Sequence, residues 1–249
     1  PPARFTARLP TVVITPTFNE RANVAELVTR FFAAVDNVAL LVVDDSSPDG
    51  TADLCERLRG EFENLRVLVR ERREGLGRAY AAGIRHALER GYRVVGTMDA
   101  DLSHDPAYLP VMLPLADRHD VVVGSRYVRD GGTVNWPIRR IMLSRLANAF
   151  AGRLLSVPAR DLTSGFRVYT SDVLERIRVD EIASTGYSFL VEMLYRSHRV
   201  GATIAEVPIV FHDRTLGASK LGTSEIYKGA YRLLRLRVAA LGTHRVRNG

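Results

Sequence analysis

Val38-Ala-Leu-Leu-Val-Val43 is an unbroken apolar run that stops at Asp44-Asp-Ser-Ser-Pro-Asp-Gly-Thr51. An apolar run without alternation describes a strand covered on both faces, and the abrupt change to acidic and turn-forming residues marks where it leaves the sheet. The same grammar recurs on either side. Residues 11–15 lead into Pro16-Thr-Phe-Asn-Glu20, and residues 92–98 lead into Asp99-Ala-Asp101. Helical patterns over residues 20–35, 51–60, 76–90 and 107–117, with further strands over 65–70 and 120–123, complete an alternation that predicts an α/β chain with a mostly parallel sheet and helices on both faces. In such a sheet the ligand sits outside the carboxyl ends of the strands. The three polar clusters are therefore expected to converge on one site.

Size and composition are compatible with that architecture. The chain has 249 residues, 46% hydrophobic and 25% charged, enough to bury roughly three quarters of its unfolded surface without disulfides or structural metals. Cys55 is the only cysteine, so an internal disulfide and a multi-cysteine metal site are excluded. No run approaches the roughly 20 apolar residues of a membrane-spanning helix. Residues 1–10 lack a signal-peptide core and read as a tail or linker. The balance of 35 basic against 28 acidic residues gives +7, almost all of the basic side being arginine. That sign fits nucleic acid, an anionic membrane surface or a phosphorylated small molecule, without choosing between them.

The second half is less regular. A loop over residues 127–137 precedes a helix expected over 138–155, and a polar loop, Asp161-Leu-Thr-Ser-Gly-Phe166, precedes a helix over 188–199 and a strand over 203–211. Residues 224–241 form a basic amphipathic pattern, apolar through Ile226, Ala230, Leu233, Leu234 and Val238.

Asp99 and Asp101 carry the clearest chemistry. Two carboxylates two residues apart, at the end of a buried strand, offer hard oxygen ligands on one side of the chain, as magnesium and manganese prefer. Glu74-Gly-Leu-Gly-Arg-Ala79 reads equally as a plain helix start and as a phosphate cradle. His104 reads as a polar loop residue, and Asp161 and Glu192 as carboxylates that orient arginines.

These motifs, together with Gly124-Ser-Arg-Tyr127 and Arg214-Thr-Leu-Gly-Ala-Ser-Lys220, resemble the inverting family-2 glycosyltransferases of GT-A fold, closest to the polyprenol (dolichol) phosphate mannose synthases. The resemblance spans residues 11–222 in order. It implies a Rossmann-like, mostly parallel sheet in one catalytic domain, 11–125 being the nucleotide-sugar half and 126–222 the acceptor half, with 223–249 a basic helix and tail. Pro16, Phe18, Glu20, Val43 and Asp45 would hold the donor nucleotide, with Ala100, Arg214 and Lys220 completing the donor site. Asp99 and Asp101 would hold Mg2+ or Mn2+, with Ser103, which stands where relatives often carry a glutamine ligand, as the third ligand directly or through water. Arg126, Arg140 and Ser144 would grip the lipid phosphate, and the resemblance puts Asp101, Arg126 and Arg140 at the reaction itself.

The implied reaction is metal-dependent transfer of mannose from GDP-mannose to polyprenol phosphate. Its implied setting is the cytoplasmic face of a membrane, with the enzyme peripheral and a membrane-anchoring partner or fused domain allowed. A phosphate acceptor suits the residue set, since it is already anionic near neutral pH and needs arginines, whereas a hydroxyl acceptor needs a carboxylate base. UDP-glucose as donor, and a glycan hydroxyl as acceptor with Asp161 as base, remain open at this level. A nucleic-acid or membrane-binding module would explain the charge but not the acidic strand ends, so no nucleic-acid partner is expected.

Overall fold

The computed structural model describes residues 4–213, apart from 183 and 185. Arg214, Lys220 and the helix expected over 224–241 lie outside the described residues. The first half follows the alternation seen in the sequence: β1 (Phe5–Thr17), α1 (Arg21–Ala34), β2 (Val35–Asp44), α2 (Thr51–Leu58), β3 (Leu65–Val69), α3 (Leu76–Glu89) and β4 (Val94–Thr97). β1 starts inside the segment read as a tail. Phe5 and Thr6 pair with Val35 and Asp36 before the register shifts ahead of Thr11, and Arg4 forms an ion pair with Asp36. Pro10 interrupts the apolar pattern there and hides the strand from a sequence reading.

The helix expected over 107–117 is broken into 3-10 turns at Pro106–Tyr108 and Leu113–Asp117 around a short α4 (Leu109–Met112). Prolines 106, 110 and 114 account for this, because each lacks an amide donor and crowds the preceding turn. Next come β5 (Val121–Ser125), β6 (Gly132–Val134) and α5 (Ile138–Leu155), the last with the expected bounds. β7 (Arg167–Thr170), α6 (Ser171–Ile177), α7 (Tyr187–Arg199), β8 (Ile204–Pro208) and β9 (Val210–His212) follow. Pro208 ends β8, so the single strand expected over 203–211 becomes two, in different sheets.

The large sheet has the order β3-β2-β1-β4-β7-β5-β8, and β6 pairs with β9 in a small second sheet. Within the large sheet β7 runs antiparallel to β4 and β5, and the remaining pairs are parallel. Alternate residues of the central strands enter opposite layers. Val12, Ile14, Leu41 and Val43 pack against Ile84, Leu174 and Leu194, while Val13, Leu40 and Val42 pack against Leu27, Phe31 and Cys55. Each fully buried Leu, Ile or Phe contributes roughly 1.5–3 kcal/mol, so these two layers hold the strand ends in place. Pro16 pairs with Val43, Thr17 with Asp44, and Ile14 with Thr97, which brings the polar ends of β1, β2 and β4 to one rim.

Candidate active site

Where β1 and β2 end, Asp44 is the anchor. It is fully buried, accepts from the Thr17 hydroxyl at 2.8 Å, and accepts from the Ser47 amide and hydroxyl at 2.8 and 2.6 Å. The Asp45 amide donates to the Thr17 carbonyl, tying the two strand ends together. Asp45 itself forms an ion pair with Arg70 at 2.6 Å. Burial pushes the Asp45 carboxyl above its ordinary value, and Arg70 opposes that shift without cancelling it. Arg70 opens a charged run to which the sequence assigns no role; its amide donates to the Asp44 carbonyl and its side chain also reaches Glu74.

The five proposed nucleotide contacts do gather here, with one qualification of chemistry. Val43 is fully buried among Val12 and Ile14, so only its main chain can face a nucleotide. Phe18 carries the Arg73 guanidinium 4.1 Å above its ring, and Glu20 accepts from Asn23 at 2.8 Å. The Glu74-Gly75 segment leads into α3, which begins at Leu76 after Gly75 at φ +95° and has no side-chain cap.

At the end of β4, Asp99 Oδ1 accepts from the Tyr80 hydroxyl at 2.9 Å, and the Asp99 amide donates to His104 Nδ1 at 3.1 Å. His104 is buried against Phe166 and Phe211. Burial lowers its pKa, with the nearby aspartates opposing the shift; it acts as a neutral acceptor that fixes the turn. Asp101 Oδ1 accepts from both the amide and the hydroxyl of the buried Ser103. Ser103 thereby orients Asp101, and Ala100 between the two aspartates is buried.

The donor set suits a hard divalent cation. A Cβ at Gly165 would stand 3.2 Å from Asp99 Oδ1 and 3.5 Å from the Tyr80 oxygen, so the glycine keeps space open beside this carboxylate. Among the described residues no group of three or more His, Cys, Asp or Glu side chains could hold a metal. A cation on Asp99 and Asp101 would take its other ligands from substrate phosphates and water, as Mg2+ and Mn2+ do.

Arg126, Arg140 and Ser144, which the resemblance puts at the acceptor, also come together. Arg126 makes a two-point ion pair with the fully buried Asp161, Nε to Oδ2 at 2.7 Å and Nη2 to Oδ1 at 2.8 Å, and Nη2 also donates to Thr163. Burial alone would raise the Asp161 carboxyl, but the charge and hydrogen bonds of Arg126 outweigh it and hold the group below its ordinary value. Arg140 donates to both oxygens of Asp213 at 3.1 and 3.0 Å and lies 3.8 Å over Trp136. Ser144 accepts from the Tyr127 hydroxyl at 2.6 Å, and Arg126 lies over the rings of Tyr127, Trp136 and Phe211. Asn148 of α5 binds Thr163 and the Leu162 amide, while the Gly165 carbonyl accepts from Thr97. The loop over residues 161–166 thus links Arg126 and α5 to Thr97 at the end of β4. Glu192, the other carboxylate expected to orient an arginine, pairs with Arg196 at 2.7 Å.

An α/β sheet with paired carboxylates and guanidinium groups at its carboxyl rim offers places for a cation and for phosphate groups, and comparison with known proteins gives the class of protein. Residues 12–178 match the family model for glycosyl transferase family 2. The chain is 42% identical to the polyprenol monophosphomannose synthase of Mycolicibacterium smegmatis, over 90% of this chain and 85% of that one. It is also 42% identical to the undecaprenyl-phosphate mannosyltransferase of Micrococcus luteus, over 92% of this chain and 94% of that one. Its fold is shared with the mannosyltransferase PcManGT of Pyrobaculum calidifontis, solved in complex with GDP-Man and Mn2+. The TM-score is 0.62 at 19% identity, covering 98% of this chain and 66% of that one. The chain belongs to glycosyl transferase family 2, and its fold is GT-A.

Proposed function

We propose that the chain transfers mannose from GDP-mannose to a polyprenyl monophosphate, with inversion and with a divalent cation. The observation that carries this reading is the state of Asp161. A hydroxyl acceptor needs a base to take its proton, and Asp161 is fully buried, bound at two points by Arg126 and shifted toward the ionised form. It serves to hold Arg126. An acceptor that arrives already ionised needs cations instead, and Arg126, Arg140 and Ser144 line one wall for it. The names of the two 42%-identical relatives support the mannosyl group and the prenyl phosphate, and the complex of PcManGT supports GDP-mannose and Mn2+.

In this reading Pro16, Phe18, Glu20, Asp45 and the main chain of Val43 bind and orient the nucleotide, with Arg214 and Lys220 closing on the donor phosphates. Asp99 and Asp101 would hold the cation, which supplies positive charge against the leaving diphosphate. Tyr80 and Ser103 fix the direction of those carboxylates, and His104 fixes the main chain at Asp99. Arg126 and Arg140 position the acceptor oxygen and exclude bulk water with the Trp136 and Phe211 rings. Among the described residues no helix is long and apolar enough to cross a membrane, and the enzyme would work peripherally from the cytoplasmic side.

The test offers radiolabelled GDP-mannose and UDP-glucose to the protein, with and without polyprenyl phosphate and with Mn2+ or EDTA. Label from GDP-mannose should enter the lipid phase only when polyprenyl phosphate and Mn2+ are both present. Label from UDP-glucose in its place, or full transfer in EDTA, would overturn the donor or the metal part of the reading.

A further inference from the structure

Arg126 and Arg140 are held in different ways. The edge of a guanidinium formed by Nε and Nη2 is the one that matches two oxygens of a carboxylate or a phosphate. Arg126 uses this edge on Asp161, at 2.7 and 2.8 Å, and the two side chains are 7% and 0% exposed. Arg140 keeps it open. Only its Nη1 is engaged, donating to Oδ1 and Oδ2 of Asp213 at 3.1 and 3.0 Å, and its Nε and Nη2 have no hydrogen-bond partner among the described residues. The side chains of Arg140 and Asp213 are 27% and 29% exposed, within reach of a ligand.

A long side chain keeps such a pose only against a support, and Trp136 supplies it. Its ring lies against Arg140 at 3.8 Å, with Arg126 at 5.5 Å. Its buried Nε1 makes no hydrogen bond among the described residues, so the π face is what the indole contributes. The main chain fixes the rest. The Asp213 amide donates to the Val134 carbonyl at 3.2 Å, extending the pairing of β9 with β6, and Arg140 stands in the first turn of α5. The His212 amide donates to the Ser103 carbonyl at 3.3 Å, which ties this support to the loop that carries Asp101.

We infer that Asp213 and Trp136 are positioning residues for the acceptor. Asp213 holds the Arg140 guanidinium at its Nη1 end and Trp136 holds it by its face, so that the Nε and Nη2 edge is presented to two oxygens of the acceptor phosphate. Arg126, its own edge taken by Asp161, adds charge. An arginine already held in its binding pose loses less rotamer freedom when the phosphate arrives. A carboxylate that competed with the phosphate would lie on the open edge, and Asp213 lies at the end beside it. This step deepens the proposed function and rests on its phosphate acceptor.

Trp136 is the only tryptophan in the chain, so its fluorescence reports this place without turnover. The full chain, with GDP and Mn2+ present, is titrated with farnesyl phosphate and, separately, with farnesol and inorganic phosphate. Farnesyl phosphate should change the emission saturably, and farnesol should not; inorganic phosphate should do so only at much higher concentration. In Asp213→Asn, which keeps the shape and removes the charge, the midpoint should rise about tenfold. Turnover should show the same rise in KM for farnesyl phosphate, with kcat and GDP-mannose affinity within about twofold of wild type. Trp136→Leu, followed by calorimetry, should weaken farnesyl phosphate about three- to tenfold, and Trp136→Phe should recover most of that loss.

A double-mutant cycle separates positioning from a merely structural part. Arg140→Lys keeps the charge but has no two-nitrogen edge, so Asp213→Asn should cost little more in that background. The same loss from Asp213→Asn in both backgrounds overturns the inference, as does tighter binding of farnesyl phosphate by Asp213→Asn, which would make Asp213 a competitor. A wild type that transfers mannose to farnesyl phosphate while its emission ignores that ligand also overturns the inference, and leaves the proposed function standing. A wild type that binds farnesyl phosphate with the expected cycle and transfers no mannose overturns the proposed function instead, and supports the placement of Arg140.

Discussion

The hydroxyl of Tyr80 donates to Asp99 Oδ1 at 2.9 Å from a fully buried ring stacked on Phe189. Burial and the charge of Asp99 push the phenol well above its usual value, so it remains a donor throughout the physiological range. A carboxylate with one oxygen held in this way presents the other in a fixed direction, and partners of this kind typically alter metal affinity 10- to 100-fold.

Tyr80→Phe keeps the ring and its packing and removes only the donor. Mn2+ binding, followed by electron paramagnetic resonance with GDP present, should weaken roughly tenfold or more while the melting temperature changes little. Unchanged Mn2+ affinity would show that Asp99 is oriented by other means.

Arg140→Ala should raise KM for polyprenyl phosphate by about 10- to 100-fold, the range expected when a charged hydrogen bond is lost. The affinity for GDP-mannose, measured by calorimetry without acceptor, should stay as in the wild type. An equal loss of donor binding would place Arg140 on the other side of the reaction.

Asp161→Asn separates a base from a positioning group. Removing one partner of the buried pair leaves the Arg126 guanidinium uncompensated and should cost about 3–5 kcal/mol in urea unfolding. A variant with wild-type stability and lost turnover would restore Asp161 as a base for a hydroxyl acceptor.

Asp120 gives a pH signature far from the chemistry. Its Oδ2 accepts from the Thr203 amide and hydroxyl, each at 2.7 Å, and the amide bond above all lowers its carboxyl below the ordinary value. A depressed folded value means that the stability it contributes is complete above the unfolded value of about 4 and is lost as pH falls through the folded one. Asp120→Asn should therefore be about 1 kcal/mol less stable than the wild type at pH 7, with the gap closing toward pH 3. Urea midpoints across that range check it; a gap that widens on acidification contradicts the assignment.

Much of this arrangement is legible in the sequence because the strands announce their own ends. Val43-Asp44 and Met98-Asp99 are each an apolar-to-acidic step, and the topology of a parallel sheet brings such steps together without further information. The helix of residues 138–155 is legible in its bounds, yet periodicity shows only that a helix has two faces, not which one is inside. β7 is hidden because it opens with Arg167, a guanidinium that reads as a loop residue. In the fold that side chain is fully buried, donating to Leu162 and Leu190 carbonyls and to the Tyr169 hydroxyl. Arg70 and Tyr80 escape notice for a related reason. Their partners, Asp45 and Asp99, lie 25 and 19 residues away, and nothing local in either motif specifies the pairing.

The central claim is that the acceptor enters already ionised, and the acceptor itself tests it most directly. The protein, with Mn2+ and radiolabelled GDP-mannose, is offered polyprenyl phosphate, the same polyprenol without its phosphate, and a mannoside with free hydroxyls. Mannose should pass to polyprenyl phosphate alone, giving a lipid-extractable product with equal counts of mannose and phosphate. Transfer to the free polyprenol or to the mannoside, with polyprenyl phosphate inert, would contradict it.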